Sequence, residues 1–139
     1  MSELSRIGVA LNSDLLSKFD QLIAKRKYTN RSEAFRDLIR AELIEKQISA
    51  PGAKVVATIT LVYDHHVRLL KEKLTELQHG FQHLIVSNLH VHLDHAHCLE
   101  VIVAKGKGSE VQQLADSLIG TKGVRHGGVI WTTSGDALP

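Results

Sequence analysis

Four histidines and the only cysteine of the chain fall within eleven residues, Asn88 to Cys98, which read N-L-H-V-H-L-D-H-A-H-C. Apolar residues alternate with His90 and His92 in this stretch, and a period of two residues is typical of a β-strand. Both imidazoles therefore project from one face of the predicted strand, roughly 6.6 Å apart along its length. Side chains of this kind at this spacing predict a metal site.

The cysteine follows this strand after a short loop. Residues 94–96 can form a hairpin loop, and a second apolar run, residues 99–104, begins directly after Cys98. If the loop centres on His95, Cys98 lies directly across from His92 on the same face of the sheet. Two imidazoles and one thiolate then converge from neighbouring strands, which gives three of the four donors of a four-coordinate site.

This donor set restricts the metal. Imidazole nitrogens with one thiolate suit Ni(II) or Cu(II) in a planar field and Zn(II) in a tetrahedral one. Binding requires the thiolate and neutral imidazoles, so the affinity should fall at acid pH. His126 is interpreted as structural. The other histidines are interpreted as surface or hairpin residues, with weaker secondary metal sites as the alternative: His65, His66, His83, His95 and His97.

Length and composition allow one ordinary domain or two small ones in 139 residues. Residues 1–48 carry nine Lys/Arg and seven Asp/Glu, whereas residues 49–139 carry eight of each, so the whole net charge of +2 lies in the first third. This bias permits nucleic-acid contact without establishing it. No transmembrane helix or signal peptide is expected, and a lone cysteine excludes an internal disulfide and fits a reducing cytoplasm.

The first 48 residues predict one strand and two helices. Alternation over Arg6–Leu11 predicts a short strand, and Asn12 is a good N-cap for a helix that runs to about Lys27. Asn30 with Glu33 forms a capping box, and the second helix runs to about residue 46. The apolar positions expected to be buried are Leu15, Leu16, Phe19, Leu22 and Ile23 in the first helix, and Ala34, Phe35, Leu38, Ile39, Ala41 and Leu43 in the second.

A unit of this size cannot bury enough apolar area alone, and its strand has no partner nearby in the sequence. A two-fold dimer solves both problems, because the strand then pairs with its copy and the helices pack beneath the ribbon. That arrangement is the ribbon-helix-helix unit, in which the ribbon enters the major groove of DNA.

The remainder predicts a second domain after a Pro-Gly linker at residues 49–54. Its pattern is a strand at 55–63, a helix at 67–79 ended by Gly80, strands at 84–93 and 98–104, a turn at 106–108, a helix at 110–119 capped by Ser109, and a strand at 123–133. The order βαββαβ is the ferredoxin-like arrangement. The predicted fold class is therefore α+β, with a βαα ribbon-helix-helix domain at 1–48 and, at 55–139, a βαββαβ domain that carries the predicted metal site.

Several motifs resemble those of the NikR family of nickel-responsive transcriptional regulators, whose second domain is ACT-like. They are N-R-S-E-A-F-R-D in the second helix, Q-H at 78–79, L-H-V-H-L-D-H-A-H-C-L-E at 89–100 and G-V-R-H-G at 123–127, within a resemblance that covers residues 6–133. In that family nickel is held by three histidines and one cysteine in a plane. The resemblance implies the ligands His90, His92, Cys98 and, from a different subunit, His79.

The DNA-binding end departs from the family pattern. Family members carry Arg or other polar residues at the outward ribbon positions, which here are Arg6, Gly8 and Ala10. Arg6 can bond a guanine in bidentate fashion, Gly8 has no side chain, and Ala10 offers only a methyl group suited to thymine. The ribbon should therefore recognise the DNA sequence less well than in other members. Recognition would otherwise come from residues 1–5 or from the sequence-dependent shape of the DNA. Donors to DNA phosphates are expected at and near the N-terminus of the second helix, in Lys25, Asn30, Arg31, Ser32 and Arg36. The alternative is that these residues only form a solvated helix face.

The resemblance implies a cytoplasmic homotetramer, a dimer of dimers, that binds an operator in double-stranded DNA and represses nickel uptake genes when Ni(2+) is plentiful. Glu33 and Asp37 match acidic residues that bind an interdomain cation in the family, although an exposed carboxylate pair explains them equally well. Glu100 either supports the metal site or is an ordinary strand residue.

Two other functions stay open: a regulator responding to copper, cobalt or zinc, and a metal storage or trafficking protein with an N-terminal dimerisation unit. An enzyme is not expected, because four planar ligands leave no open position.

Overall fold

A computed structural model describes residues 2–50 and 52–135, apart from the side chain of Ser49. The chain divides into two compact units, Met1–Ala41 and Glu42–Pro139. The division lies within the second helix, which continues to Ser49. The sequence instead predicts a linker at residues 49–54, of which Pro51 lies outside the described residues. The predicted domain boundaries therefore stay a prediction. None of the described helices combines the length and the apolar character that a membrane span requires.

The first unit contains two helices with the predicted caps. Helix α1 spans Ser13–Lys25 and helix α2 spans Arg31–Ser49. The side chain of Asn12 accepts a hydrogen bond from the Leu15 N–H at 2.8 Å, and that of Asn30 accepts one from the Glu33 N–H at 2.9 Å. Each bond satisfies a backbone donor that the first turn of a helix leaves unpaired, so both predicted helix starts are confirmed.

Residues 2–12 form no strand within a single chain. The strand predicted at Arg6–Leu11 requires a copy of itself, and a lone segment has no neighbour with which to form a ladder. Its alternating apolar side chains are open, with Ile7 81% and Val9 55% exposed. Leu38 and Ile39, which were expected to be buried, are also about half exposed. One chain therefore leaves uncovered much of the apolar surface that the predicted dimer would bury.

The second unit is a four-stranded antiparallel sheet with two helices. Its strands lie in the order β2 (Ile85–His92), β3 (His97–Lys107), β1 (Lys54–Asp64) and β4 (Val124–Thr132), so β3 and β1 are the central strands and β2 and β4 are the edge strands. This order confirms the βαββαβ ferredoxin-like arrangement and the α+β class. The two helices are α3 Leu70–Gly80, between β1 and β2 in the chain, and α4 Gly108–Ile119, between β3 and β4.

Two predicted helix starts in this unit are wrong. No turn separates β3 from α4, because the strand runs through Lys107 and the helix begins at Gly108; Ser109 is thus inside the helix and is not its cap. Helix α3 begins at Leu70, after Leu69 in a left-handed conformation with φ of 63°. A left-handed residue cannot continue a helix, so the predicted start at residue 67 is too early.

The two faces of the sheet have different surroundings. Alternate residues of β1, from Val55 to Tyr63, are buried on the side of the sheet that packs with α3 and α4. Burial of each aliphatic side chain of this kind contributes roughly 1.5–3 kcal/mol. The opposite face is open in one chain and carries apolar side chains such as Leu89, which faces Val101 across the ladder, and Ile130. The histidine face of β2 is thus the helix side, and its apolar face is the open one.

Candidate metal centre

The β2–β3 hairpin positions the central pair of candidate ligands. His92 and Cys98 are direct partners in the antiparallel ladder, and His90 is the partner of Glu100. The Asp94 carboxylate closes the loop by accepting hydrogen bonds from the backbone N–H groups of Ala96 at 2.9 Å and His97 at 2.8 Å. The predicted register of this hairpin is confirmed.

The donor atoms of three residues converge at the end of this hairpin. Cys98 Sγ lies 3.5 Å from His92 Nδ1 and 3.4 Å from His65 Nδ1. Within the described part of the chain, these three residues form a cluster whose donor atoms all lie within 4.8 Å of one another. His90 is next to it, with its ring centroid 5.3 Å from that of His92. A cluster of two or three imidazoles and one thiol has the donor chemistry that Ni(II) accepts.

The surroundings set the protonation of the cluster. Burial raises the pKa of the Cys98 thiol; the positive charge of Lys71 opposes this shift and the negative charge of Glu100 adds to it. Burial also lowers the pKa of His65, and the neighbouring His66 lowers it further. At neutral pH the site therefore holds a thiol and a neutral His65 imidazole, and a metal that binds Cys98 must displace the thiol proton.

The position of His65 was not predicted from the sequence. It directly follows β1, whose last residues Tyr63 and Asp64 pair with Cys98 and His97 of β3. The predicted fold could have located His65, because a ferredoxin-like sheet places β1 beside β3. The end of β1 then meets the beginning of β3, where the cysteine lies.

His79 stands apart from the cluster in a single chain. It is exposed in the last turn of α3, and the structure does not bring it together with Cys98. Its neighbour Gln78 is tied to the sheet, because Gln78 Nε2 donates to Glu100 Oε2 at 2.6 Å. The end of α3 is thereby held at the sheet while the His79 imidazole faces outward.

Glu100 is a buried carboxylate with three donors around it. Tyr63 donates its hydroxyl to Glu100 Oε1 at 3.0 Å, and Asn88 Nδ2 donates to Oε2 at 2.6 Å, in addition to the bond from Gln78. Burial raises the pKa of Tyr63, and the charge of Glu100 raises it further. A buried charge requires such donors. Through these bonds Glu100 joins α3, β1 and β2 beside the cluster.

The candidate DNA contacts lie in the first unit. Arg6, Gly8 and Ala10 are exposed, and a Cβ added to Gly8 would meet no atom within 4 Å. Arg31 makes a bidentate ion pair with Asp20, with both N–O distances 2.9 Å, so its guanidinium is already engaged within the unit. The remaining predicted phosphate contacts, Lys25, Asn30, Ser32 and Arg36, are exposed around the α1–α2 turn. Of residues 1–5, Met1 lies outside the described residues.

The acidic pair on α2 has local partners. Tyr28 donates its hydroxyl to Asp37 at 2.6 Å, and this bond raises the pKa of the phenol. Glu33 lies 3.9 Å from Arg36, in a salt bridge one turn along the helix. The described contacts of Glu33 and Asp37 thus include cationic and hydroxyl groups of the same unit.

Comparison with known proteins covers both units. Residues 56–132 match the family model of the NikR C-terminal nickel binding domain, and residues 5–46 match the model of ribbon-helix-helix proteins of the copG family. A protein of Solibacter usitatus described as a nickel-responsive regulator is 65% identical over 135 residues, 97% of each chain. Proteins with the same description from Trichlorobacter lovleyi (51% identical, 96% of each chain) and Geobacter sulfurreducens (53%, 99% of each) also match.

One solved structure, the uncharacterized protein TM1266 from Thermotoga maritima, shares the fold alone. It is 19% identical, with a TM-score of 0.50, and the match covers 55% of this chain and 95% of that one. The family models and the relatives go further, because their matches span both units, including the residues of the β2–β3 hairpin and the helices of the first unit. The chain therefore belongs to the NikR family of nickel-responsive regulators.

Proposed function

We propose that this protein is a DNA-binding repressor that binds its operator more tightly when Ni(II) is bound, and that it controls nickel uptake genes. The observation that carries the proposal is the pairing of Cys98 with His92, whose donor atoms lie 3.5 Å apart on one face of a sheet. Membership of a family of nickel-responsive regulators supports nickel as the metal and gene regulation as the function. The lone cysteine, with no partner for an internal disulfide, fits work in a reducing cytoplasm.

The proposed ligands are His90, His92 and Cys98 of one subunit and His79 of another. The first three lie on the helix side of one hairpin, so their backbone positions are fixed by the ladder. The exposure of His79 at the end of α3 leaves its imidazole available to a neighbouring chain. When bound, the ion would supply a bond between donors of two subunits. Gln78, Glu100 and Tyr63 would hold the helix end that presents His79.

Two separate apolar surfaces support a dimer of dimers. In the first unit, the strand residues Ile7 and Val9 are exposed together with Leu38 and Ile39, which fits pairing of two ribbon-helix-helix units. In the second unit, the open face of the sheet exposes large apolar side chains, among them Leu89 and Ile130. Exposed apolar surface of this extent indicates association, and one surface in each unit is what a tetramer with two kinds of interface requires.

Operator binding would use the paired ribbons, with phosphate contacts at the α1–α2 turn. Backbone N–H groups at the start of α2 and the side chains of Lys25, Ser32 and Arg36 offer donors to phosphate oxygens. Arg31 would have to exchange Asp20 for a phosphate, and both are anionic partners that suit a guanidinium. Because coupling between two ligands is reciprocal, operator DNA should also tighten nickel binding.

The test is DNA binding by the full-length protein with and without nickel, across a salt series, on DNA from upstream of its own gene and of nickel transport genes. We expect a footprint on one site that requires nickel, and loss of the nickel effect in Cys98→Ala and His79→Ala. His95→Ala is the matched control, since His95 lies in the same hairpin outside the proposed ligand set. A nickel-dependent footprint that survives in Cys98→Ala would reject the proposed ligands.

One observation favours a second candidate, a regulator that responds to a tetrahedral metal. His65, His92 and Cys98 converge within a single chain without any residue from a partner, and two imidazoles with one thiolate suit zinc. Absorption spectra of the metal-loaded protein separate the two: a planar nickel–thiolate site is coloured, whereas a tetrahedral zinc site is colourless. A storage or trafficking protein, the remaining alternative, is excluded by a metal-dependent footprint.

A further inference from the structure

The G-V-R-H-G stretch at residues 123–127 contains a strand residue without a ladder partner. In the pairing of β1 with β4, Val62 lies opposite His126 and Tyr63 lies opposite Val124. Arg125, between them, is the extra residue of a β-bulge. Bulges bend a strand and re-aim a side chain, so the question is where the bulge directs the Arg125 guanidinium.

Glycines at both ends of this stretch determine the path of β4. Gly123 has φ of 105°, a conformation that other residues rarely adopt, and a Cβ there would lie 3.0 Å from Leu70 Cδ2. A Cβ on Gly127 would lie 2.7 Å from Ile119 Cγ1, closer than packed carbon atoms approach. Both glycines therefore let the strand lie against α3 and α4, with the bulge between them.

The guanidinium of Arg125 reaches the hairpin that carries the candidate ligands. Arg125 Nη1 lies 3.1 Å from His97 Nε2. Arginine can only donate, so Nε2 accepts and the ring proton of the neutral imidazole is on Nδ1. That nitrogen faces Asp94, with both carboxylate oxygens at 3.1 Å. The same carboxylate closes the loop by accepting the N–H groups of Ala96 and His97.

We propose that Arg125 is a positioning residue for the metal centre, acting through His97 and Asp94. The three residues form a continuous chain of hydrogen bonds from β4 to the hairpin loop, and this loop joins His92 to Cys98. Without the bond from Arg125, the His97 ring loses one of its two fixed contacts and the loop is held from one side only. The consequence for metal binding rests on the proposed ligand set, whereas the effect on the hairpin does not.

The variants follow from the chemistry of the bond. Arg125→Met keeps the length of the side chain and removes the donor, whereas Arg125→Lys keeps a donor. Because only one N–H of Arg125 contacts His97, a lysine ammonium should replace it, unlike at a bidentate site. His126→Ala is the matched control, since it changes the next residue of β4, which stays in the ladder.

The first measurement uses the metal-free, full-length protein. We expect the backbone amides of Ala96 and His97 to exchange with solvent roughly 2- to 10-fold faster in Arg125→Met, the effect of losing one hydrogen bond. Arg125→Lys and His126→Ala should exchange like the parent. Unchanged exchange in Arg125→Met would overturn the positioning role, whatever the metal affinity.

The second measurement is nickel affinity, by competition with a chelator, together with the thiolate-to-nickel absorption band. Arg125→Met should bind nickel about 10-fold more weakly, as changes outside the ligand set commonly do, and Arg125→Lys should recover most of the loss. In a His97→Ala background, Arg125→Met should have no further effect, because residues that act through one bond are not additive. Additive losses would overturn the proposal. Absence of the band from the parent would instead overturn the proposed ligand set.

Discussion

Cys98 and His92 face each other across the β2–β3 hairpin, with Sγ 3.5 Å from Nδ1. They are ladder partners, so the spacing between their backbones is set by sheet hydrogen bonds and needs no metal. His65 approaches the same sulfur from the end of β1 at 3.4 Å. One chain thus brings together only part of the proposed donor set. Two histidines are candidates for the donor that completes it: His65 of the same chain and, in the proposed tetramer, His79 of another chain.

These two histidines can be distinguished by substitution. If the fourth donor is His79, then His79→Ala should lower the nickel affinity by more than about 100-fold, beyond the range for changes outside the ligand set, and should change the absorption spectrum. His65→Ala should leave both nearly unchanged. Titration of the purified protein against a chelator, with the spectrum followed at each step, measures both quantities.

The opposite outcome has a specific meaning. Loss of binding in His65→Ala, with parent affinity in His79→Ala, would place the site within one chain and favour the tetrahedral candidate. His83→Ala serves as the control, because His83 is an exposed histidine three residues beyond α3 whose nearest ionic partner is Glu110 at 3.9 Å. Parent behaviour is expected there.

The sequence predicted the hairpin well because its information is local. The alternation through His90 and His92 and the short loop determine which residues share a face and which are opposite, and the structure has that register. The caps Asn12 and Asn30 were predicted for the same reason, since a cap bonds a residue only three positions away.

Contacts between distant segments were not predicted. His65 and Cys98 are 33 residues apart, and Arg125 and His97 are 28 apart, so no periodicity reveals them. The start of α3 was misplaced because Leu69 adopts a left-handed conformation that its residue type disfavours. The apolar side of α2 was expected to be buried, and its exposure in one chain reflects surface that pairing of chains would cover.

Removal of Glu100 should destabilise the fold. Glu100→Ala leaves the buried Tyr63 hydroxyl and the Gln78 Nε2 group without their acceptor, whereas Asn88 Nδ2 keeps its bond to Gln78 Oε1, and an unsatisfied buried group costs about 1–3 kcal/mol. We expect the free energy of unfolding in urea to fall by that amount, and nickel affinity to fall with it because α3 is released from the sheet. Glu76→Ala, on the exposed side of α3, should change the free energy by less than about 0.5 kcal/mol.

Comparison with Tyr63→Phe tests the origin of this loss. Phenylalanine keeps the ring and removes only the hydroxyl donor, so it should cost about 1 kcal/mol and leave the bonds to Gln78 and Asn88 in place. If Glu100→Ala were as stable as the parent, the buried carboxylate would have no role in holding α3 and β2.

Asp94 should give the protein a stability component that disappears in acid. Hydrogen bonds from the His97 and Ala96 N–H groups, and then from the His97 ring, lower the pKa of this carboxyl from 3.8 to about 2. A lowered folded-state pKa contributes stability that is present above pH 3.8 and is lost as the pH falls toward about 2.

Asp94→Asn should remove the component, so the difference in unfolding free energy between parent and variant should be constant near neutrality and shrink below about pH 4. Urea unfolding at a series of pH values measures it; a difference that stayed constant down to pH 2 would contradict the assigned pKa.

The small side chains at the predicted ribbon positions Gly8 and Ala10 should limit which bases the protein reads. A Cβ on Gly8 meets no atom within 4 Å, so Gly8→Thr should leave the free energy of unfolding within about 0.5 kcal/mol of the parent. Its hydroxyl adds a donor and an acceptor where the parent has none, and should change discrimination at one base pair by about 1–3 kcal/mol. Selection from randomised duplexes in the presence of nickel, followed by affinity measurements on the selected sites, compares parent and variant.

Ala10 offers a more direct test, because its methyl group can contact only another apolar group. If it contacts thymine, replacing that thymine by uracil should weaken the parent and leave Ala10→Gly unaffected, since the variant has already lost the contact. Lys25→Ala is the control for phosphate binding: it should weaken all duplexes alike and reduce the slope of log affinity against log salt by about 0.9. Should Gly8→Thr and Ala10→Thr select the same sites as the parent with the same affinity, base recognition would have to come from DNA shape or from residues outside the ribbon.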